Sequence, residues 1–189
     1  MKKIFIVLVL LLLVVGYYSL SSEETSGEVR QEYTNGEFGF SFEYRASPDG
    51  YLLQEPTFNP DFNEGLLKVV TLINEEEYNS IIRGERDGGE GPPVIDIFVF
   101  DNSRDLTLAE WIEVYPQYSN ITLILEALEE TTFAGTPALS YTADGLYASR
   151  NIVFSHRGNI FLITGQFMDR GEGIYRDFDT VLSTFELEA

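Results

Sequence analysis

The stretch Arg150–Gln166, RNIVFSHRGNIFLITGQ, limits the fold more than any other part of the chain. Two β-rich runs flank His156-Arg157-Gly158-Asn159, where the Gly-Asn pair tolerates positive φ, so the segment reads as a β-hairpin. In its second arm Ile160, Leu162 and Thr164 point one way while Phe161 and Ile163 point the other. A strand that is apolar on both faces must be covered on both, which predicts the centre of a sheet between two outer layers.

The 189 residues suffice for one ordinary domain with an extra segment at one end. With 44% hydrophobic and 14% aromatic residues, a single core needs no covalent staple. The chain has no cysteine, which rules out disulfides, thiolate chemistry, Cys-ligated zinc and a lipid-modified N-terminal cysteine. Twelve basic side chains against 31 acidic ones give a net charge of −19, and the only charges in residues 1–22 are Lys2 and Lys3. The field beyond them repels nucleic acid and anionic lipid headgroups, and it favours solubility and the approach of cations or basic partners.

Lys2-Lys3 precede Ile4–Val15, an unbroken run of Ile, Phe, Val and Leu, followed by Gly16-Tyr17-Tyr18-Ser19-Leu20 and polar Ser21-Ser22-Glu23-Glu24. This is the pattern of an export signal with its N-terminus inside, so the rest of the chain is expected outside. No A-x-A site follows, and Tyr17-Tyr18 suit a membrane interface, so residues 1–22 are expected to remain as a hydrophobic helical anchor. Cleavage as a signal peptide is the alternative. Residues 23–30 read as a linker and 31–189 as one domain.

Within that domain Phe38, Phe40, Phe42 and Tyr44 alternate with Gly39, Ser41 and Glu43 after Asn35-Gly36, predicting a strand whose aromatic ladder packs against the core. Tyr51–Glu55, Leu66–Ile73 and Pro93–Phe100 (PVIDIFVF) read as further strands. Thr107-Leu108-Ala109-Glu110 is a capping box, so a helix starts there with Leu108, Trp111, Ile112 and Tyr115 on one face until Pro116; the single tryptophan is expected to anchor the core. Ile121–Glu130 suits a helix by composition but alternates, and its later part is expected to lead into a strand. Thr131–Phe133, Ala134-Gly135-Thr136 and Pro137–Thr142 predict a hairpin, with another turn at Asp144-Gly145. Ile174, Phe178, Val181, Leu182 and Phe185 predict a C-terminal amphipathic helix with its acids and Arg176 outward.

Reactive chemistry is hard to find. Asn74–Pro92 is read as an acidic, glycine-rich connection in which a cation would meet Glu85, Asp87 and Glu90, together with Glu75, Glu76 and Glu77. The ordered spacing of a calcium loop is missing there and at Asp61-Phe62-Asn63-Glu64-Gly65, so solvated acidic loops are expected. His156 is the only histidine, which excludes multi-histidine metal sites, and no G-x-S-x-G elbow offers it a nucleophile. It is expected to be exposed in its turn. No phosphate-binding glycine motif is present. Catalytic, cofactor and metal residues are therefore all expected to be absent.

The series Glu37-Phe38-Gly39-Phe40-Ser41-Phe42-Glu43-Tyr44, Leu106-Thr107-Leu108-Ala109-Glu110-Trp111, Phe133-Ala134-Gly135-Thr136-Pro137-Ala138, Gly158-Asn159-Ile160-Phe161 and Tyr175–Phe185 resembles the PsbP-like family over roughly Glu32–Leu187. The resemblance implies an α/β/α sandwich around a mainly antiparallel sheet. This fold is shared by the extrinsic subunit of photosystem II, a Ran-binding nuclear-import factor and bacterial envelope proteins. It also implies a non-enzymatic accessory or assembly role, of the bacterial envelope type, with no photosynthetic motif. The tyrosine-proline pair common in the family after the first aromatic strand is replaced by Tyr44-Arg45. The expected protein is thus a membrane-anchored extracytoplasmic domain that binds a protein partner. A calcium-responsive or other cation-responsive acidic module is the alternative, and a hydrolase comes last.

Overall fold

The computed structural model describes residues 29–59, 63–85, 91–125 and 127–188. The expected anchor and most of the linker lie outside the described residues, as do Asp61, Asp87 and Glu90. Among the described residues no helix is long and apolar enough to cross a membrane.

The fold is α+β, and every strand pair of its two sheets is antiparallel. The larger sheet has seven strands in the order β3 (Tyr51–Gln54), β4 (Leu66–Asn74), β5 (Val94–Asp101), β9 (Asn159–Phe167), β8 (Ala148–His156), β7 (Thr136–Asp144) and β6 (Glu129–Phe133). The two arms of the predicted hairpin are β8 and β9, and β9 holds the middle place with Ile160 through Gly165 all buried. The turn itself differs from the sequence reading. His156 pairs with Asn159, and the two residues between them, Arg157 and Gly158, have φ of 50° and 76°. Positive φ at both central positions gives the twist that a two-residue hairpin requires. Arg157 therefore takes the conformation expected of Asn159, and its guanidinium lies over Gly39, where a Cβ would meet it at 2.1 Å.

Each face of the sheet carries its own core. On one face β2 (Phe40–Arg45), flanked by β1 (Arg30–Asn35) and β10 (Glu186–Leu187), forms a three-stranded sheet beside helix α4 (Gly173–Thr184). The outer layer on this side is therefore partly β, where the resemblance implied helices alone; the two-residue β10 is too short for any sequence periodicity to reveal. Phe40 and Phe42 stack on Phe185 at 5.4 and 6.1 Å, and Phe40 meets Phe161 of β9 edge-on at 5.5 Å, so the predicted aromatic ladder is core. On the opposite face α2 (Leu108–Val114) and α3 (Pro116–Ser119) cover Phe100, Val153, Ile160 and Leu162. The capping box is present as predicted, and the fully buried Trp111 lies 4.9 Å from Phe100.

The acidic connection begins with a helix. Asn74 accepts from the Glu77 N–H and caps a helix, α1 (Glu75–Ile82), whose first turn holds Glu75, Glu76 and Glu77. Carboxylates at a helix N-terminus are stabilised by the peptide dipoles, so these acids favour the start of the helix. Ile121–Leu123 is a short 3-10 turn, and β6 starts at Glu129. Not every acid of α4 faces outward either: Asp177 accepts from Arg45 (2.8 Å) and from the Tyr51 hydroxyl (2.8 Å), tying the helix to both sheets.

Helix α4 approaches the centre of the sheet closely because β9 carries Gly165 beneath it. A Cβ there would meet the Phe178 ring at 2.5 Å. Gly165→Ala is expected to destabilise the fold by about 1–3 kcal/mol through overpacking, read as a lower urea midpoint; an unchanged midpoint would mean that Phe178 has room to retreat.

Candidate functional site

The face under α2 and α3 is apolar over only part of its area. On β5 the residues facing this side are Phe100, Phe98 and then Asp96; on β9 they are Ile160, Leu162 and then Thr164; on β8 they are Val153, Asn151 and then Ser149. Cross-strand pairing places Thr71, Asp96, Thr164, Asn151 and Tyr141 in one row across five strands. The helices cap the aromatic half. Beyond them this polar row borders a cleft of about 440 Å³, whose lining includes Asp96, Phe98, Tyr118, Tyr147, Ser149 and Thr164. That volume is in the range of small-ligand sites.

The walls are tied in place. The Tyr118 hydroxyl donates to Asn63 Oδ1 (2.7 Å), which joins α3 to the loop before β4. The Tyr147 hydroxyl donates to the Gly91 carbonyl (2.7 Å), which joins the β7–β8 turn to the approach of β5. Ser149, which lines the cleft, accepts from Asn151 Nδ2 (3.1 Å). Thr71 Oγ1 donates to Asp96 Oδ1 (2.6 Å), the only hydrogen bond to this carboxyl among the described residues. Burial pushes the Asp96 carboxyl up to about 6, and the Thr71 bond offsets only part of that rise. Asp96 is the only charged side chain of the described lining, so no cation there compensates it.

Of the acids singled out in the sequence, none among the described residues lines this cleft. Glu85 is held by Arg83 through two bonds of 2.6 and 2.9 Å at an exposed position, while Asp87 and Glu90 lie outside the described residues. Among the described residues no group of three or more His, Asp or Glu side chains is placed to hold a metal ion. His156 is half-buried rather than exposed, because the β8–β9 turn folds against the turn before β2. Its ring lies edge-on to Phe161 at 6.1 Å and its Nε2 is buried without a partner. Loss of hydration, then the neighbouring Arg157 charge, lowers its pKa. Asp96 is the residue that the sequence reading passed over. Its signal was there: one carboxylate inside the otherwise apolar run PVIDIFVF.

Comparison with solved structures adds a likeness. The solution structure of cyanobacterial PsbP from Synechocystis superposes with a TM-score of 0.55 over 89% of this chain and 98% of that one, at 16% identity. The chain has a PsbP-like fold. No family model matches the sequence, and no curated protein matches it either. At this identity the likeness to PsbP carries the architecture alone.

The buried carboxyl makes the stability of the PsbP-like domain depend on pH in a definite direction. Its folded pKa of about 6 lies above the ordinary 3.8, so the folded state holds the proton more tightly than the unfolded state. The favourable contribution is complete below about pH 4, is lost as pH rises toward 6, and leaves a constant cost above that. Asp96→Asn, whose amide oxygen still accepts from Thr71, is expected to stabilise the domain by roughly 2 kcal/mol at pH 7.5. The gain should vanish near pH 4, and denaturant midpoints of both proteins across that range measure it.

Proposed function

We propose that this protein is a membrane-anchored, extracytoplasmic accessory domain of PsbP-like fold, which binds a protein partner and performs no chemistry of its own. The observation that carries the reading is the match of nearly the whole domain to the PsbP architecture. The family resemblance associates that architecture with accessory and assembly roles. Lys2-Lys3 followed by Ile4–Val15 supports the anchor and the outward placement. A bound partner has a natural seat at the cleft, because Leu123, Leu125 and Leu146 stay exposed on its side of the fold, the latter two at 60%. Leu123 and Leu146 line it, and Leu125 N–H is bonded to the Thr142 carbonyl nearby. Exposed leucines around a polar floor suit association with another surface.

Photo-crosslinking in whole cells tests this. A photoreactive residue at Leu125 or Leu146 should give one saturable adduct that stays with the membrane fraction, and the same residue at Ser183 on the opposite side should give none. Equal labelling from all three positions, or recovery of the chain in the cytosol, would refute the reading.

A further inference from the structure

We propose that the cleft binds a primary ammonium group on a short apolar chain, taken from a free aliphatic amine or from a lysine side chain, with Asp96 as its counter-ion. The inference stands on the cleft itself and holds whether or not a protein partner is the donor.

Charge is the first support. A carboxylate withdrawn from water needs either a proton or a cation, and the described lining residues offer Asp96 no cation. With a pKa near 6 this group is ionised at neutral pH, held by the Thr71 hydroxyl alone. A bound cation supplies the missing charge, and the net charge of −19 draws cations toward the cleft while repelling anions.

Donor geometry narrows the cation. Asp96 on β5 is paired directly with Thr164 on β9, and Ser149 on β8 with Gln166 on β9; all four line the cleft. Neighbouring strands lie about 4.8 Å apart, so a nitrogen seated between two of them reaches oxygens on both at ordinary hydrogen-bond length. An ammonium has three N–H donors that diverge from one atom and suits such a floor. A quaternary ammonium has none and would leave the floor oxygens unpaired. A guanidinium spreads five donors over a plane and pairs best with a free two-oxygen carboxylate, whereas one oxygen of Asp96 is already taken by Thr71. A divalent cation asks for several carboxylates, and the described lining has one.

The walls define what carries the ammonium. Phe98, Tyr118, Tyr147 and Leu146 enclose the space above the floor, and Phe98 and Tyr118 lie 5.7 Å apart at 59°. Methylene groups lose water against these side chains, and the ring faces attract the positive end.

Calorimetric titration of the full-length chain in mild detergent, with n-pentylamine hydrochloride in one arm and N-acetyl-lysine N-methylamide in the other, tests the proposal. One-site saturable binding on the order of millimolar is expected in at least one arm. Binding only in the first assigns a free amine, and binding only in the second assigns a lysine side chain. Asp96→Asn should weaken binding about tenfold or more while changing the net charge by a single unit, so diffuse attraction of cations would survive in the variant and specific binding would not. Leu146→Trp at the exposed rim should obstruct the cleft without disturbing the core. Amide shifts of Thr164 and Gln166 should move on titration, which locates the site in the unaltered protein. Absence of saturable heat in both arms, equal affinity of Asp96→Asn, equal affinity for neutral 1-pentanol, or tighter binding of tetramethylammonium or methylguanidinium would overturn the proposal. The cellular crosslinks report on a partner protein and would be unaffected by such a failure.

Discussion

Burial of β9 on both of its faces is the constraint from which the rest of the architecture follows. A strand with Ile160, Phe161, Leu162 and Ile163 in succession cannot leave either side to water, so the sheet around it must carry two separate cores. One is closed by the small sheet and α4, whose phenylalanines interlock around Phe185. The other is closed by α2 and α3 through Trp111, Ile112 and Tyr115. Even the glycine of this strand serves the arrangement, since Gly165 is what lets Phe178 lie flat against it.

The two cores are unequal in extent, and the cleft arises from that inequality. α2 and α3 together are short, and they cover only the end of the sheet face where Phe100, Ile160 and Val153 lie. Past Phe98 and Leu162 the neighbouring strands present Asp96, Thr164 and Ser149 to the cleft, side chains that can face a partly wet cavity at little cost. A carboxyl in this position is neither fully hydrated nor paired with a cation, and its raised pKa expresses that intermediate state. Among the described residues most acids lie exposed at the surface, whereas Asp96 lines a cleft between strands and aromatic side chains.

Features that depend on local pattern were legible in the sequence: the β8–β9 hairpin, the capping box at Thr107 and Glu110, the core role of Trp111 and the amphipathic α4. Features that depend on a distant partner were not. β1 and β10 exist because β2 offers them edges, and β10 is only two residues long. Asp177 looks like any outward acid on a helix until Arg45 and Tyr51 are brought to it from the other end of the chain. α1 lies between these cases. The Asn74 cap with its glutamates was readable as a helix start, but the glycines that follow favoured a loop. Of the candidate site, only the odd carboxylate in PVIDIFVF was visible, with nothing to say that Thr164 and Ser149 would stand beside it.

By itself the sequence determined which strand lies at the centre, where the main helices start and stop, and that the outer layers are aromatic on their inner sides. These properties follow from periodicity and capping over a few neighbouring residues, where the backbone repeat dictates which side chains share a face. Tertiary structure alone decided that one face would be covered incompletely, that Asp96 would be left at the floor of the exposed part with no cation among the described lining residues, and that a tyrosine of α3 and a tyrosine of the β7–β8 turn would wall it in. Those outcomes depend on strand order and helix length acting together, and no local stretch of residues encodes the distance between elements that meet only after folding.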